Sequence, residues 1–257
     1  DKLPYPKSKI PAGYNTNQMI KHNYRYWYQM FNPRQLLALG TLLLFIQEEK
    51  KKHLREALLS SFANLLNNVS DFCTYRYTVG ALRQVFARHD FAPKNAPCEN
   101  NVWGLSLGMG SFISCFKAII DGYNYNRNIY DRKFTGNYKQ GKPILENIIS
   151  GESLNDKRRL CYCYANDSRN IDKLINDKDV TLTITDPPYS SNVNYSELSD
   201  YFYVWLRLIL SNDYKGFAPE HTPKFSEIVT NPERGRTDED FKKGLFQVFS
   251  AACASLN

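Results

Sequence analysis

The stretch Val180-Thr-Leu-Thr-Ile-Thr185-Asp186-Pro187-Pro188-Tyr189 decides the reading of the chain. From Val180 to Thr185 the residues are β-branched or apolar and alternate, which predicts a strand; the two prolines beyond it cannot donate to a ladder and close it in a tight turn. Upstream, Leu160-Cys-Tyr-Cys-Tyr164 predicts an earlier strand, Asn166-Asp167-Ser168 a turn and cap, and Ile171 to Ile175 a short helix. Strand, helix and strand over so short a span imply parallel strands with a right-handed crossover, hence an α/β sheet. Two longer helices are predicted downstream, Ser196 to about Leu210 and about Asp238 to Leu256, the second opened by a capping-box variant, Thr237-Asp-Glu-Asp240.

Before this α/β pattern the chain reads as mostly helical. Residues 1 to 20, rich in Pro, Lys, Asn and Gly, predict an extended segment, and His22 to Phe31 interleaves aromatics with cations. Asn32 caps a helix that starts at Pro33 and keeps apolar spacing to about Lys52, and a second helix runs through Leu54 to Leu66. A third is predicted around Val79 to Arg88, then a Pro- and Asn-rich connection over 91–101, a glycine-rich stretch from Gly104 to Phe112 and a helix to Ile120. Residues 121–157 are polar and predict a long loop with one short helix near Ile144 to Ile149. The boundary falls there: 1–157 a mostly helical region, 158–257 a catalytic region.

Composition sets outer bounds. With 257 residues, 42% hydrophobic and 23% charged, the chain is too apolar to be intrinsically disordered. Its longest apolar stretch, Leu36 to Ile46, is broken by Gly40 and falls short of the roughly 20 residues that a spanning helix needs. Six scattered cysteines without a C-x-x-C pair offer no zinc site and suit a reducing compartment, so a cytoplasmic location is expected, with no membrane and no metal. The net charge of +7 fits either solubility or a polyanionic partner. The sequence starts without Met and with no apolar leader, and reads as a piece of something longer.

The chemistry concentrates at Asp186-Pro187-Pro188-Tyr189. In open α/β sheets ligands bind at the carboxyl ends of strands, where this turn is expected to sit. The prolines stiffen the turn and leave nearby carbonyls free as acceptors, Asp186 adds a carboxylate, and Tyr189 adds a flat face. Acceptors beside an aromatic face suit a planar ring that carries an exocyclic NH₂.

Asp186-Pro-Pro-Tyr189 resembles the catalytic motif of the amino-methyltransferases, S-adenosyl-L-methionine-dependent enzymes that methylate adenine N6 or cytosine N4 in DNA. Residues 186–207 (DPPYSSNVNYSELSDYFYVWLR), with Phe31-Asn-Pro-Arg-Gln-Leu-Leu-Ala-Leu39 and Glu227-Ile-Val, are similar to the large bacterial and archaeal adenine-specific DNA methylases, some of which carry a zinc ribbon. The resemblance implies a partial Rossmann-like class I methyltransferase core, S-adenosyl-L-methionine as cofactor, and double-stranded DNA with a flipped target base as partner. Asp186 and the Pro187 carbonyl would accept hydrogen bonds from the amine, Pro188 would fix the turn, and Tyr189 would stack on the base. Asp167 would contact the cofactor, although it reads equally as a helix cap. Asn192, Asn194 and Tyr195 would line the base pocket, or serve as loop and cap residues, Asn194 with Glu197 as a capping-box variant. The motif chemistry fits both amines; the resemblance favours adenine N6 and implies restriction or phage defence.

Other readings stand beside it. The motif could serve an RNA or protein amine, or the chain could be a non-catalytic DNA-binding or assembly module completed by the rest of the methylase or by another subunit. Pro97-Cys98 and Glu99-Asn-Asn-Val102 look like two motifs of cytosine C5 methyltransferases, but they abut and no strand precedes them, so covalent C5 chemistry is dismissed. The glycine-rich stretch lacks the preceding buried strand that a cofactor loop requires. The resemblance places that loop upstream of this chain, and further strands beyond Leu256. The aromatic and basic run from His22 to Arg34 could touch nucleic acid or could simply pack as a core face.

Overall fold

The computed structural model describes residues 2–104, 108–127, 130–140, 142–149, 163–175 and 180–256. The first long helix forms as its sequence dictates. Asn32 accepts from the Gln35 amide N–H at 3.0 Å while Gln35 bonds back to the Asn32 N–H at 2.9 Å, with Pro33 in the first turn. This helix, α2 (Pro33–Glu48), follows a short α1 (Thr16–Lys21) that the reading of residues 1–20 as extended had missed. It stops four residues before Lys52, which opens α3 (Lys52–Leu66) instead of ending α2.

The helix predicted over Val79 to Arg88 is a hairpin, β1 (Thr74–Arg76) against β2 (Ala81–Arg83). Gly80 sits at φ +60 in the connecting turn, a left-handed conformation that breaks a helix at its start. Next comes α4 (Phe112–Arg127), which runs past the predicted end at Ile120. Within the loop predicted over residues 121–157, the described residues form the end of α4 and a long antiparallel ribbon, β3 (Tyr130–Lys139) with β4 (Lys142–Ile149), so that the short helix predicted near Ile144 to Ile149 is a strand; residues 150–157 lie outside the described residues. The ribbon's polar composition concealed it, because β3, with its described side chains mostly exposed, lacks the one-sided apolar alternation of a half-buried strand.

Beyond the ribbon, the predicted strand over 160–164 falls at 160–162 outside the described residues, and Cys163 and Tyr164 carry no strand. Val180 makes one parallel bridge to Leu256; Thr181 to Tyr189 have no strand partner among the described residues, and Leu182 and Ile184 are 71% and 86% exposed. A strand exists by its neighbours, and here the alternating pattern meets none. The two sheets among the described residues are both two-stranded and antiparallel. The chain ends in α5 (Ile171–Leu174), α6 (Tyr195–Leu210) and α7 (Asp238–Ala254), the last with the capping box predicted at Thr237 and Asp240.

One hydrophobic core takes residues from both sides of the expected boundary at 157. Helix α6 is its axis: Tyr201 stacks on Phe31 with centroids 5.7 Å apart, Trp205 meets Phe31 and Phe62 edge-on, and the Tyr201 hydroxyl donates to the Leu66 carbonyl at 2.7 Å. Trp27 and Phe31 are therefore core residues, which absorbs much of the aromatic run that could have faced nucleic acid. No helix among the described residues is long and apolar enough to cross a membrane.

The thiols report this packing. Burial pushes Cys73 up to about 12 and also raises Cys115, while Cys163 and Cys253 are exposed. Since the thiolate is the reactive species, iodoacetamide near neutral pH is expected to modify Cys163 and Cys253 first and Cys73 only after unfolding. Mass spectrometry of the labelled peptides checks this, and early labelling of Cys73 would contradict the packing.

Candidate active site

The Asp186–Tyr189 turn enters α6 through a clamp of short polar contacts. The Asn192 N–H donates to the Tyr189 carbonyl at 3.0 Å, closing the turn. Ser190 adopts φ +47, a left-handed conformation uncommon for a residue with a Cβ. It is held there from the far side: its hydroxyl lies 2.9 Å from that of Thr230 and donates to Asp238 at 3.3 Å, while its carbonyl accepts the Thr230 N–H at 3.3 Å. The start of α7 and the loop before it thus brace the turn. Asp186 is exposed, Pro187 and Pro188 are half-buried, and the Tyr189 ring is 61% exposed, so a carboxylate and an aromatic face are both presented to solvent.

The residues predicted to line a base pocket divide in two. Asn192 and Tyr195 are exposed beside the turn, Tyr195 as the first residue of α6. Asn194 is buried and its side-chain carbonyl accepts from Asn231 at 2.8 Å. It therefore belongs to the scaffold, and it makes no side-chain cap to α6. The capping box read for Asn194 and Glu197 does not form, because the Glu197 carboxylate is engaged elsewhere: it accepts the backbone N–H groups of Tyr14, Asn15 and Thr16 at 3.1, 2.7 and 3.4 Å and pairs with Arg234.

Around that carboxylate lies a charged network that the motif reading did not reach. Glu227 accepts the Ser196 N–H at 2.8 Å, bonds its hydroxyl and pairs with Arg234 at 3.3 Å. One turn on, the fully buried Asp200 accepts from the Thr222 N–H at 2.8 Å and from Lys224 at 2.6 Å. The signal was present in Ser196-Glu-Leu-Ser-Asp200: acids three apart on a helix share one face, here the buried face. Helix α6 is where the three sequence blocks meet, since Phe31 stacks on its Tyr201 and Glu227 bonds its first turn.

Asp167 stands apart from the turn. It caps the 3₁₀ turn Ser168–Asn170, accepting the Arg169 N–H at 3.0 Å, and forms a forked ion pair with the Arg169 guanidinium at 2.5 and 2.9 Å. That hydrogen-bonded arginine holds the Asp167 carboxyl below its ordinary range. Both oxygens accept from Arg169, as the helix-cap reading of this residue requires. Arg169 also reaches the Ser226 carbonyl at 3.4 Å and lines a cavity of about 510 Å³ with Asn170, Phe246, Gln247 and Ser250. The glycine-rich stretch is described only in part; a Cβ at its Gly110 would lie 2.6 Å from the Asn68 side chain, so close packing requires this glycine. No group of three or more metal-ligating side chains among the described residues could hold an ion.

Comparison of the chain with protein-family models, with curated proteins and with solved structures gives no match.

The clamp makes a local prediction. Ser190→Ala keeps the strained φ and removes the hydroxyl's bonds, so amide exchange at Asn192 and Thr230 should speed up while the α6 core stays protected. Exchange unchanged at both amides would show that the hydroxyl does not hold the turn.

The buried Glu197 carboxylate predicts a larger, global effect. Glu197→Ala leaves the N–H groups of residues 14–16 without their acceptor and Arg234 with Glu227 as its one remaining carboxylate, an expected loss of about 3–5 kcal/mol in chemical denaturation. Gly13→Ala should destabilise through the same carboxylate, because its Cβ would stand 2.5 Å from Glu197 Oε1. Near-wild-type stability of either variant would remove Glu197 from its central place.

Proposed function

We propose that this chain carries the target-amine site of an S-adenosyl-L-methionine-dependent DNA amino-methyltransferase, with adenine N6 as the favoured target. The observation that carries this reading is the turn itself: an exposed carboxylate, a proline carbonyl and an exposed tyrosine ring within four residues, braced from behind by Ser190, Thr230 and Asp238. The preference for adenine over cytosine, and for DNA over another amine-bearing substrate, rests on the resemblance of residues 186–207 to the adenine-specific methylases.

In this reading a flipped base enters against Tyr189, where stacking contributes roughly 1–3 kcal/mol. Its exocyclic amine donates one hydrogen bond to Asp186 and one to the Pro187 carbonyl. The two acceptors draw the nitrogen lone pair out of conjugation with the ring and fix its direction, so the turn acts by positioning and electrostatics and forms no covalent bond to the base. Asn192 and Tyr195, exposed beside the turn, are placed to contact the flipped nucleotide. Asp167 caps its turn and pairs with Arg169, so its cofactor role rests on the resemblance alone, and the reading stands on the amine side of the reaction.

The test is methyl transfer from labelled S-adenosyl-L-methionine to duplex DNA by the full-length enzyme. Asp186→Ala is expected to abolish transfer while DNA affinity stays within about twofold, and Tyr189→Ala to lower it far more than Tyr189→Phe, because stacking needs the ring and not the hydroxyl. Turnover retained by Asp186→Ala would overturn the assignment.

A further inference from the structure

The β3–β4 ribbon has no task in the chemistry above, and its side chains are unusual for a strand pair. Between Arg127 and Glu146 the sequence places five cations (Arg127, Arg132, Lys133, Lys139, Lys142) against two acids, Asp131 and Glu146. The described side chains along it are nearly all exposed, Tyr138 by 66%. Phe134 and Tyr138 lie on one face, their rings 5.1 Å apart across an irregularity in the register that Thr135 secures through its bond to the Ile144 carbonyl at 3.0 Å. Both strands hydrogen-bond to each other, and neither is covered by a third strand among the described residues.

The tip carries the most telling pair. Lys139 and Lys142 are direct cross-strand partners at the turn. Like charges placed opposite each other weaken a strand pair, a cost that a polyanion neutralising both lysines would offset.

We propose that the β3–β4 ribbon is a duplex-DNA docking element that enters the major groove, with Arg132, Lys133, Lys139 and Lys142 against the phosphates that flank it. The proposal rests on the reading of DNA as substrate and adds the surface that would hold it. A two-stranded ribbon fits the B-form major groove, about 12 Å wide. The ten residues of β3 span about 30 Å, long enough to run along the groove for most of a helical turn. The deep, narrow major groove of an A-form duplex does not admit such a ribbon, so duplex RNA is disfavoured by shape. Phe134 and Tyr138 give the ribbon an apolar face for contacts to thymine methyls and sugar edges.

Fluorescence anisotropy of the wild-type chain and of Lys139→Gln/Lys142→Gln, titrated with labelled duplex DNA over a range of salt, tests this. The double variant removes the like-charge pair, so its thermal stability should be equal or higher, while its DNA affinity at low salt should fall about tenfold and the log–log salt slope should drop by about 1.8, two phosphate contacts at about 0.9 each. Opposite movements of stability and affinity cannot come from misfolding. Arg132→Ala/Lys133→Ala should lower the slope again. Unchanged affinity and slope in both variants, or tighter binding to duplex RNA than to duplex DNA, overturns the proposal. Methyl transfer by the full-length enzyme with the same substitutions separates it from the active-site reading: unchanged DNA binding with Asp186-dependent transfer sinks the ribbon alone, and ribbon-dependent binding with transfer that survives Asp186→Ala sinks the chemistry alone.

Discussion

The structure depends on where one carboxylate goes. Glu197, fully buried in the first turn of α6, accepts three successive backbone N–H groups from Tyr14, Asn15 and Thr16 and pairs with Arg234. A charge taken out of water is tolerated only when hydrogen bonds and a counter-ion replace its hydration. Here the replacements come from two segments more than 200 residues apart in the chain, residues 14–16 and Arg234, so satisfying one side chain fixes both against α6. Gly13 is the steric counterpart of this arrangement, because any side chain there would meet the same carboxylate.

Helix α6 consequently has two roles along its length. Its middle and end pack Tyr201 and Trp205 into the core against Phe31 and Phe62. Its first turns carry buried charge, Glu197 to Arg234 and Asp200 to Lys224, with Glu227 bonded to Ser196. The Asp186–Tyr189 turn leads into this rigid end. Ser190, strained and clamped to Thr230 and Asp238, transmits that rigidity to the turn, so that a carboxylate and an aromatic ring are displayed on a short exposed segment without being buried themselves. A site that binds by positioning needs such a support, since hydrogen-bond direction is the whole of its contribution.

The sequence told most where local rules act alone. The Asn32–Gln35 and Thr237–Asp240 boxes and the cores of α2, α3, α6 and α7 follow from caps and periodicity, because those signals lie within a few residues. It told least where pairing decides. The β3–β4 ribbon looked like a loop because its sequence lacks a regular apolar alternation, and the alternation at Val180–Thr185 finds, among the described residues, only the bridge of Val180 to Leu256. At the site, Asp186, Tyr189, Asn192 and Tyr195 lie exposed at and beside one turn, whereas Asn194 and Asp167 were assigned by neighbourhood in sequence and are engaged by Asn231 and Arg169. Charge balance across distant segments, as at Glu197 and Arg234, has no local signature beyond an acid on a helix face that should be apolar.

The central claim is that the Asp186–Tyr189 turn holds an exocyclic base amine for methylation. The most direct measurement is nucleoside mass spectrometry of duplex DNA incubated with the protein and S-adenosyl-L-methionine carrying a trideuterated methyl group, followed by complete digestion. The account predicts the label on N6 of deoxyadenosine. Label on C5 of deoxycytidine, or label on N6 of deoxyadenosine that survives Asp186→Ala, would contradict it.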